Sequence, residues 1–150
     1  GGEAGQSMKL FIKRKVLDTI LTRCVEGYPY ETAGLMLGYG GSRKAVDSLP
    51  TANVHEGDRR VRYRIDPMEY YRAEKTAEER GLQVVGVYHS HPDVAARPSA
   101  YDLEYAMPGW SYLIVSVTKS RVLEYTSWYV LERNGQKEYV EEDLTIIDGE

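Results

Sequence analysis

The chain has little of what would place it in a membrane, in an oxidising compartment or on nucleic acid. Its 150 residues contain one cysteine, which excludes an internal disulfide and favours a reducing compartment, so we expect a cytoplasmic protein. No apolar run approaches the roughly 18–20 residues that a membrane-spanning helix needs. The formal net charge of −4 argues against nucleic acid and anionic membrane surfaces as partners.

The composition is that of a globular domain, with 42% apolar and 28% charged residues. The opening segment "GGEAGQSM" has neither the basic start nor the apolar stretch of a signal peptide. We therefore expect residues 1–7 to be a flexible leader or an expression remnant before a start at Met8. Residues 8–150 are expected to form one domain, which is long enough to bury a core.

The first half of the chain predicts one helix followed by short strands. Apolar residues recur at helical spacing between Lys9 and Glu26, so this segment is predicted to be an amphipathic helix ending at Gly27. The segment "AGLMLGYG" is short, apolar and bounded by glycines, as in a buried strand. "KAVDSLP" and "VRYRI" are predicted to be further strands, separated by a polar loop.

The second half alternates helices and strands. Asp66 at the N-cap, Pro67 in the first turn, Glu69 three residues after the cap and Gly81 at the exit delimit a second helix. The valine-rich "LQVVGVYHSH" predicts a central strand, and a short helix is expected from Ser99 to about Tyr105. Three more strands complete an α/β fold, a single layered domain with a mixed β-sheet flanked by helices.

The stretch "GVYHSHPDVAARPSAYD" contains the residues that could bind a metal. If the strand continues through it, His89 and His91 project to the same side, since alternate residues of a strand share a face. Two adjacent imidazoles begin a zinc site, and Asp102 in the next helix is a candidate third ligand. Three protein ligands would leave the fourth position open, as in catalytic zinc sites.

Each of these residues also has a purely structural interpretation. Ser99 and Asp102 together form a variant of the capping box, and a His-x-His pair is more often a surface feature than a ligand pair. Glu31 stands just before the buried strand and is a candidate general base, although it could equally be a solvated turn residue. Composition and spacing leave both interpretations open.

Two motifs of this chain resemble the JAB1/MPN-plus (JAMM) zinc metalloproteases. "HSHPDVAARPSAYD" is similar to their motif of His-x-His, ten residues and Asp, with an internal serine. "YPYETAGLMLG" resembles their upstream Pro-x-Glu-x-x-Gly segment, and the two stand in the family's order. The resemblance extends from Met8 to about Val130, and the form "ARPS-x-x-D" is most similar to short prokaryotic stand-alone members.

The resemblance implies a fold, a cofactor and a reaction. The fold would be the JAB/MPN fold, similar to that of the cytidine deaminases, with one zinc ion per chain held by His89, His91 and Asp102. Glu31 would be the general base, and Ser99 would stabilise the oxyanion. The substrate would be the C-terminal Gly-Gly tail of a ubiquitin-like or sulfur-carrier protein, cleaved at the following amide bond. The oligomeric state is left open.

Rival classes fit the sequence less well. A non-catalytic MPN-type interaction module would have lost histidines or the aspartate, all of which are present here. The RadC-like, DNA-repair-associated branch favours asparagine between the histidines, where this chain has Ser90. A zinc deaminase needs paired cysteines. A cysteine protease built on Cys24 is disfavoured because that thiol lies on the apolar stripe of its helix.

Some residues matched no role. His55 lies in the polar loop and is expected to be solvated. Four tyrosines, Tyr70, Tyr71, Tyr101 and Tyr105, could line a groove for a peptide tail, but half-buried packing is the commoner use of such residues. Only "MPG" separates the short helix segment ending at Ala106 from the next strand, where polyubiquitin-specific relatives carry a long insertion. The resemblance therefore favours a smaller substrate.

Overall fold

The structure, a computed structural model, describes residues 8–52 and 66–149, with the backbone alone for residues 101 and 102. Within these ranges the chain forms three helices and eight strands. Their bounds in chain order are β1 (Lys9–Lys13), α1 (Arg14–Glu26), β2 (Ala33–Gly38), β3 (Lys44–Ala45), β4 (Asp47–Thr51), α2 (Pro67–Glu79), β5 (Gln83–Pro92), α3 (Ala100–Glu104), β6 (Ser111–Thr118), β7 (Arg121–Arg133) and β8 (Gln136–Ile147).

The described strands form one mixed sheet in the order β3-β1-β8-β7-β6-β5-β2-β4. β3 and β4 lie at opposite ends of this order although Val46 alone separates them in sequence. The sheet must therefore curl until its two ends approach each other. Val46 N–H donates to the Leu37 carbonyl at 2.8 Å, which ties the two ends together at that point.

A partly buried ion pair also stabilises the curled sheet. The Arg43 guanidinium, just before β3, donates to Glu142 on β8 and to the Ser111 hydroxyl on β6 at 2.9 Å. Glu142 is only 5% exposed and accepts a second hydrogen bond, from Ser127 on β7 at 2.8 Å. Because a buried carboxylate is costly unless it is paired, this network fixes the segment before β3 against three other strands.

Both faces of the sheet are covered, so the central strands are apolar almost throughout. One core lies between α1 and the sheet, and includes Ile20 and Cys24 of the helix with Leu113 and Val115 of β6. The second core lies between α2 and the opposite face. Its buried members are Leu35, Leu37, Ala73, Ala77, Val84, Val87, Ala106, Tyr112 and Val130. None of the helices in the described ranges is long and apolar enough to cross a membrane.

The predicted helix from Lys9 to Glu26 was wrong in its first five residues. Lys9–Lys13 forms β1, which runs parallel to β8 with Leu10 opposite Leu144 and Ile12 opposite Ile146. Leu10 and Ile12 are fully buried and alternate with more exposed neighbours, which is the period of a strand. The helix begins at Arg14, once the buried positions take up helical spacing.

The other predicted elements within the described ranges are present with small changes. "KAVDSLP" is divided by Val46 into β3 and β4. Asp66 caps α2 by accepting from Met68 N–H at 3.4 Å, but Glu69 does not complete a capping box: its carboxylate accepts from Ala52 N–H at 3.0 Å. The predicted strand "VRYRI" and residues 1–7 lie outside the described residues.

Gly34 provides the space for a buried aromatic ring. It stands opposite Tyr88 in the pairing of β2 with β5, and a Cβ at Gly34 would overlap the Tyr88 ring. Tyr88 is fully buried, and its hydroxyl accepts a hydrogen bond from Arg23 of α1. A side chain at position 34 would therefore disturb the contact between α1 and the sheet.

We expect Gly34→Ala to lower the free energy of unfolding by about 1–3 kcal/mol, as overpacking of a filled core does. Urea denaturation of the purified protein measures the change. Gly40→Ala is the matched control, because a Cβ there meets only the flexible end of the Gln83 side chain. Equal stability of the two variants would contradict the close contact between Gly34 and the Tyr88 ring.

Candidate metal centre

The two histidines of the His-x-His motif lie side by side at the carboxyl end of β5. The strand continues through His91 to Pro92, as the sequence predicted, so both side chains project from the same face. Their ring centroids are 5.1 Å apart. β5 lies between β2 and β6 in the sheet, and pairing on both sides fixes the backbone that carries the two rings.

A backbone carbonyl sets the tautomer of His91. The ring Nδ1 lies 2.9 Å from the Ala95 carbonyl oxygen, which can only accept a hydrogen bond. Nδ1 therefore carries the proton and donates, which leaves the lone pair on Nε2. This is the usual arrangement of a metal-ligating histidine, whose second nitrogen donates to a carbonyl or carboxylate.

His89 is held in its neutral form. It is 2% exposed, and burial, followed by the proximity of His91, lowers its pKa well below the usual 6.5. Imidazole must be deprotonated to bind a metal. A buried neutral ring beside a second imidazole therefore fits a zinc ligand better than it fits a surface histidine.

The segment before β2, which carries Glu31, is bound to the strand that carries these histidines, because the contacts between the two strands continue beyond Ala33. Ala33 stands opposite His89, and Thr32 and Ser90 then exchange two hydrogen bonds. Ser90 N–H donates to the Thr32 carbonyl at 2.9 Å, and Thr32 N–H donates to Ser90 Oγ at 2.8 Å. Glu31 is the residue before Thr32, and His91 is the residue after Ser90.

The environment of Glu31 is not that of a solvated turn residue. Its side chain is only 5% exposed, although the tyrosine before it, Tyr30, is 46% exposed. A second contact holds the same loop on its other side, where the Tyr28 hydroxyl donates to the Asp93 carboxylate at 2.9 Å. Glu31 thus lies between two ties to the segment that carries the histidines.

Ser99 and Asp102 belong to the short helix α3 and its start. Ser99 is exposed, and its carbonyl accepts from Leu103 N–H at 3.1 Å, so it begins the helix as predicted. The backbone of Asp102 lies in α3, while its side chain is outside the described residues. Lys137 of β8 holds the other end of α3 by donating to the carbonyls of Glu104 and Ala106 at 3.0 and 2.9 Å.

The donor set suits zinc. Two adjacent imidazoles and an aspartate are the ligand types of a catalytic zinc site. Among the side chains that the structure describes, which do not include that of Asp102, no three histidine, cysteine, aspartate or glutamate residues form a metal-binding group. The third ligand therefore stays a prediction, as do the roles of Glu31 and Ser99.

Packing accounts for two of the remaining candidate residues, Cys24 and Tyr70. Cys24 is fully buried in the core, and burial raises the pKa of its thiol to about 12. Tyr70 packs against Trp110 with ring centroids 5.9 Å apart, whereas Tyr71 is 52% exposed. His55 lies outside the described residues, as does the side chain of Tyr101.

Two residues that contribute to this site were missed in the sequence. Ser90 binds the backbone next to Glu31, and the Ala95 carbonyl orients His91. The position of Ser90 between two histidines was the available signal, because its side chain must point to the face opposite theirs. No sequence signal identifies a carbonyl acceptor such as that of Ala95.

The curled mixed sheet and the paired histidines define a JAB-type α/β domain. The model of a family described as prokaryotic homologs of the JAB domain matches residues 13–130. The chain belongs to this family, and the predicted family and fold are confirmed.

Relatives and solved structures agree with this assignment. A desampylase of Haloferax volcanii is 36% identical over 73% of this chain and 82% of its own. A probable TtuB-protein conjugate cleaving protease of Thermus thermophilus is 30% identical over 76% and 78%. A CysO-cysteine peptidase of Mycobacterium tuberculosis is 25% identical over 82% and 84%.

Among solved structures, a Desulfitobacterium hafniense protein has a TM-score of 0.76 at 25% identity, covering 93% of this chain and 94% of its own. A JAB1/MPN domain protein from Archaeoglobus fulgidus, at 23% identity, has a TM-score of 0.54 over 94% of this chain and 100% of its own, and shares the fold.

The buried thiol gives a direct prediction. A pKa of about 12 leaves about one Cys24 thiol in ten thousand ionised at pH 8. The surrounding core residues also exclude reagents from the thiol. We expect no alkylation of the native protein by iodoacetamide at pH 8 and complete alkylation in denaturant, measured by intact mass. Rapid labelling of the native protein would contradict the packing of α1.

Proposed function

We propose that this chain is a zinc-dependent peptidase that hydrolyses the amide bond after the C-terminal Gly-Gly tail of a ubiquitin-like or sulfur-carrier protein. The observation that carries the proposal is a buried glutamate, Glu31, on the segment tied through Thr32 and Ser90 to the strand end that holds two adjacent histidines. A binding module has no need of a buried carboxylate on the segment bound to a histidine pair. A hydrolase that activates water needs both.

The names of the relatives support the same reaction class. They are a desampylase, a probable TtuB-protein conjugate cleaving protease and a CysO-cysteine peptidase. Each matches this chain over about three quarters or more of its own length, so the comparison covers most of each relative. The prediction of a peptidase directed at small carrier proteins agrees with all three.

The ligand residues would be His89, His91 and Asp102. His91 presents Nε2 because its Nδ1–H is engaged by the Ala95 carbonyl. His89 presents a neutral ring because burial disfavours its protonated form. When bound, zinc supplies Lewis acidity, making water nucleophilic at neutral pH and polarising the scissile carbonyl.

Glu31 would move the proton. Its carboxylate takes a proton from the attacking water and passes it to the nitrogen of the departing amine, so one group acts as base and then as acid. The contacts of Tyr28 and Thr32, on either side of Glu31, fix the loop that carries this carboxylate. Burial also limits the water that competes for it.

Ser99 would stabilise the negative charge that develops on the scissile carbonyl oxygen. Its hydroxyl stands at the start of α3, the helix that carries Asp102, so donor and ligand belong to one element. A donor aimed at the developing oxyanion is typically worth about 100- to 1,000-fold in rate. The exposure of Ser99 leaves this hydroxyl accessible to a substrate.

The size of the substrate follows from the connection after α3. Six residues, 105–110, join α3 to β6, and Gly109 N–H is bound to the Val130 carbonyl at 2.8 Å. Nothing in this short connection could grip a second ubiquitin, as the insertion of polyubiquitin-specific members does. We therefore propose single carrier conjugates as substrates, and a cytoplasmic location in keeping with the one buried thiol.

The role of Glu31 is tested by Glu31→Gln, which keeps the shape of the side chain and removes its basicity. We expect cleavage of a carrier-protein fusion to fall by at least about 100-fold, the typical contribution of a general base, while the zinc content is unchanged. Cleavage is followed by intact mass of the product ending in Gly-Gly.

Glu26→Gln is the matched control, because Glu26 is an exposed carboxylate at the end of α1, five residues earlier in the chain. It removes the same charge and should retain wild-type activity. If Glu31→Gln cleaves as fast as Glu26→Gln, the base is another residue.

A substrate panel tests the size argument. We expect a ubiquitin-like carrier with a short peptide after its Gly-Gly tail to be cleaved at least about tenfold faster than linked diubiquitin, since the second ubiquitin contributes no binding energy here. The values of kcat/KM for both substrates give the comparison. Equal values would show that the short connection after α3 does not restrict the substrate.

A further inference from the structure

The loop that joins the two histidines to α3 is held on the sheet by side chains of β6 and β7. The Ser116 hydroxyl donates to the Val94 carbonyl at 2.5 Å. Ala96 is fully buried, and both of its backbone polar groups are bound by β7: Ala96 N–H donates to Glu124 Oε2 at 3.0 Å, and Thr126 Oγ1 donates to the Ala96 carbonyl at 2.6 Å.

One of these contacts belongs to the same peptide unit that orients His91. The Ala95 carbonyl, which accepts from His91 Nδ1–H at 2.9 Å, and Ala96 N–H are opposite ends of one planar amide. The Glu124 carboxylate is therefore connected to the His91 ring through a single peptide group. The order is carboxylate, peptide N–H, peptide carbonyl and imidazole N–H.

This series of hydrogen bonds has an electrostatic effect on the His91 ring in addition to fixing its position. A carboxylate that accepts from a peptide N–H forms a charge-assisted hydrogen bond, and hydrogen bonds in series polarise one another at low local dielectric. The Ala95 carbonyl should therefore be a stronger acceptor than an ordinary carbonyl. A stronger acceptor at Nδ1–H makes Nε2 a more basic ligand.

We propose that Glu124 is a positioning residue for His91, which acts through the Ala95–Ala96 peptide to orient the imidazole and to increase its basicity towards a metal. In metal sites a carboxylate usually contacts the histidine directly, whereas here one peptide unit lies between them. The inference rests on the proposed role of His91 as a zinc ligand.

A second contact fixes the geometry of this hydrogen-bond series. Thr126 Oγ1, which binds the Ala96 carbonyl, itself accepts from Trp128 Nε1 at 2.7 Å. Glu124, Thr126 and Trp128 alternate along β7, so their side chains share one face of the sheet. The peptide that meets His91 is thus fixed by a rigid strand rather than by the loop alone.

The test separates the charge of Glu124 from its shape. Glu124→Gln keeps an oxygen that can accept from Ala96 N–H, so a purely structural role would survive. We expect its zinc affinity to fall by about three- to tenfold, less than the 10- to 100-fold typical of a direct partner, with thermal stability of the metal-free protein unchanged. Competition with a chelating indicator at fixed pH and salt measures the affinity.

Glu132→Gln is the matched control, since Glu132 is an exposed carboxylate near the end of the same strand. It removes one charge from β7 and should leave zinc affinity at the wild-type value. Equal affinities of the two variants would overturn the proposal while leaving the zinc site intact. Absence of zinc binding by the folded wild type would instead overturn the proposed function.

A spectroscopic readout on the metal-free protein does not depend on zinc. In the wild type we expect ¹⁵N NMR to show His91 as the Nδ1–H tautomer and the Ala96 amide proton at low field. Glu124→Gln should move both the Ala96 amide proton and His91 Nδ1–H upfield, whereas Glu132→Gln should move neither. If the His91 signal does not respond to Glu124→Gln, the peptide does not transmit the charge and the proposal is wrong.

Discussion

The antiparallel pairing of β2 with β5 is the constraint on which the candidate site depends. It places Ala33 opposite His89, and the reciprocal bonds between Thr32 and Ser90 extend it by one more residue pair. Without this extension Glu31 would belong to a loose turn. With it, the segment that carries Glu31, a residue only 5% exposed, is bound to the end of the central strand that carries the histidines.

The fold supports this pairing from both faces of the sheet. Gly34 leaves room for the Tyr88 ring, which packs towards α1 and receives a hydrogen bond from Arg23. On the opposite face α2 packs against neighbouring strands. Packing on both faces fixes the end of β5. Two metal-ligating side chains need such support if they are to have the correct geometry before the metal binds.

Local patterns predicted most of the fold, and failed where a partner distant in sequence decides the conformation. The cap at Asp66 and the apolar run of β5 carry their own signals, and both elements formed as predicted. Lys9–Lys13 forms a strand because it pairs with β8, with Lys9 opposite Asp143, and no local pattern contains that partner.

The residues of the candidate site also fall into those with a local signal and those without one. Spacing and resemblance identified His89 and His91, whereas the burial of Glu31 and the contact between Glu124 and Ala96, 28 residues apart, arise only when the sheet assembles.

The central claim is that the end of β5 binds a metal and that the buried Glu31 carboxylate takes a proton from the water this metal activates. Elemental analysis of the protein purified without added metal tests it directly, with the wild type compared with the double variant His89→Ala/His91→Ala. We expect about one zinc per chain in the wild type and none in the variant, because the first loses no ligand and the second loses two. A folded wild type without zinc, or the same zinc content in the double variant, would contradict the account.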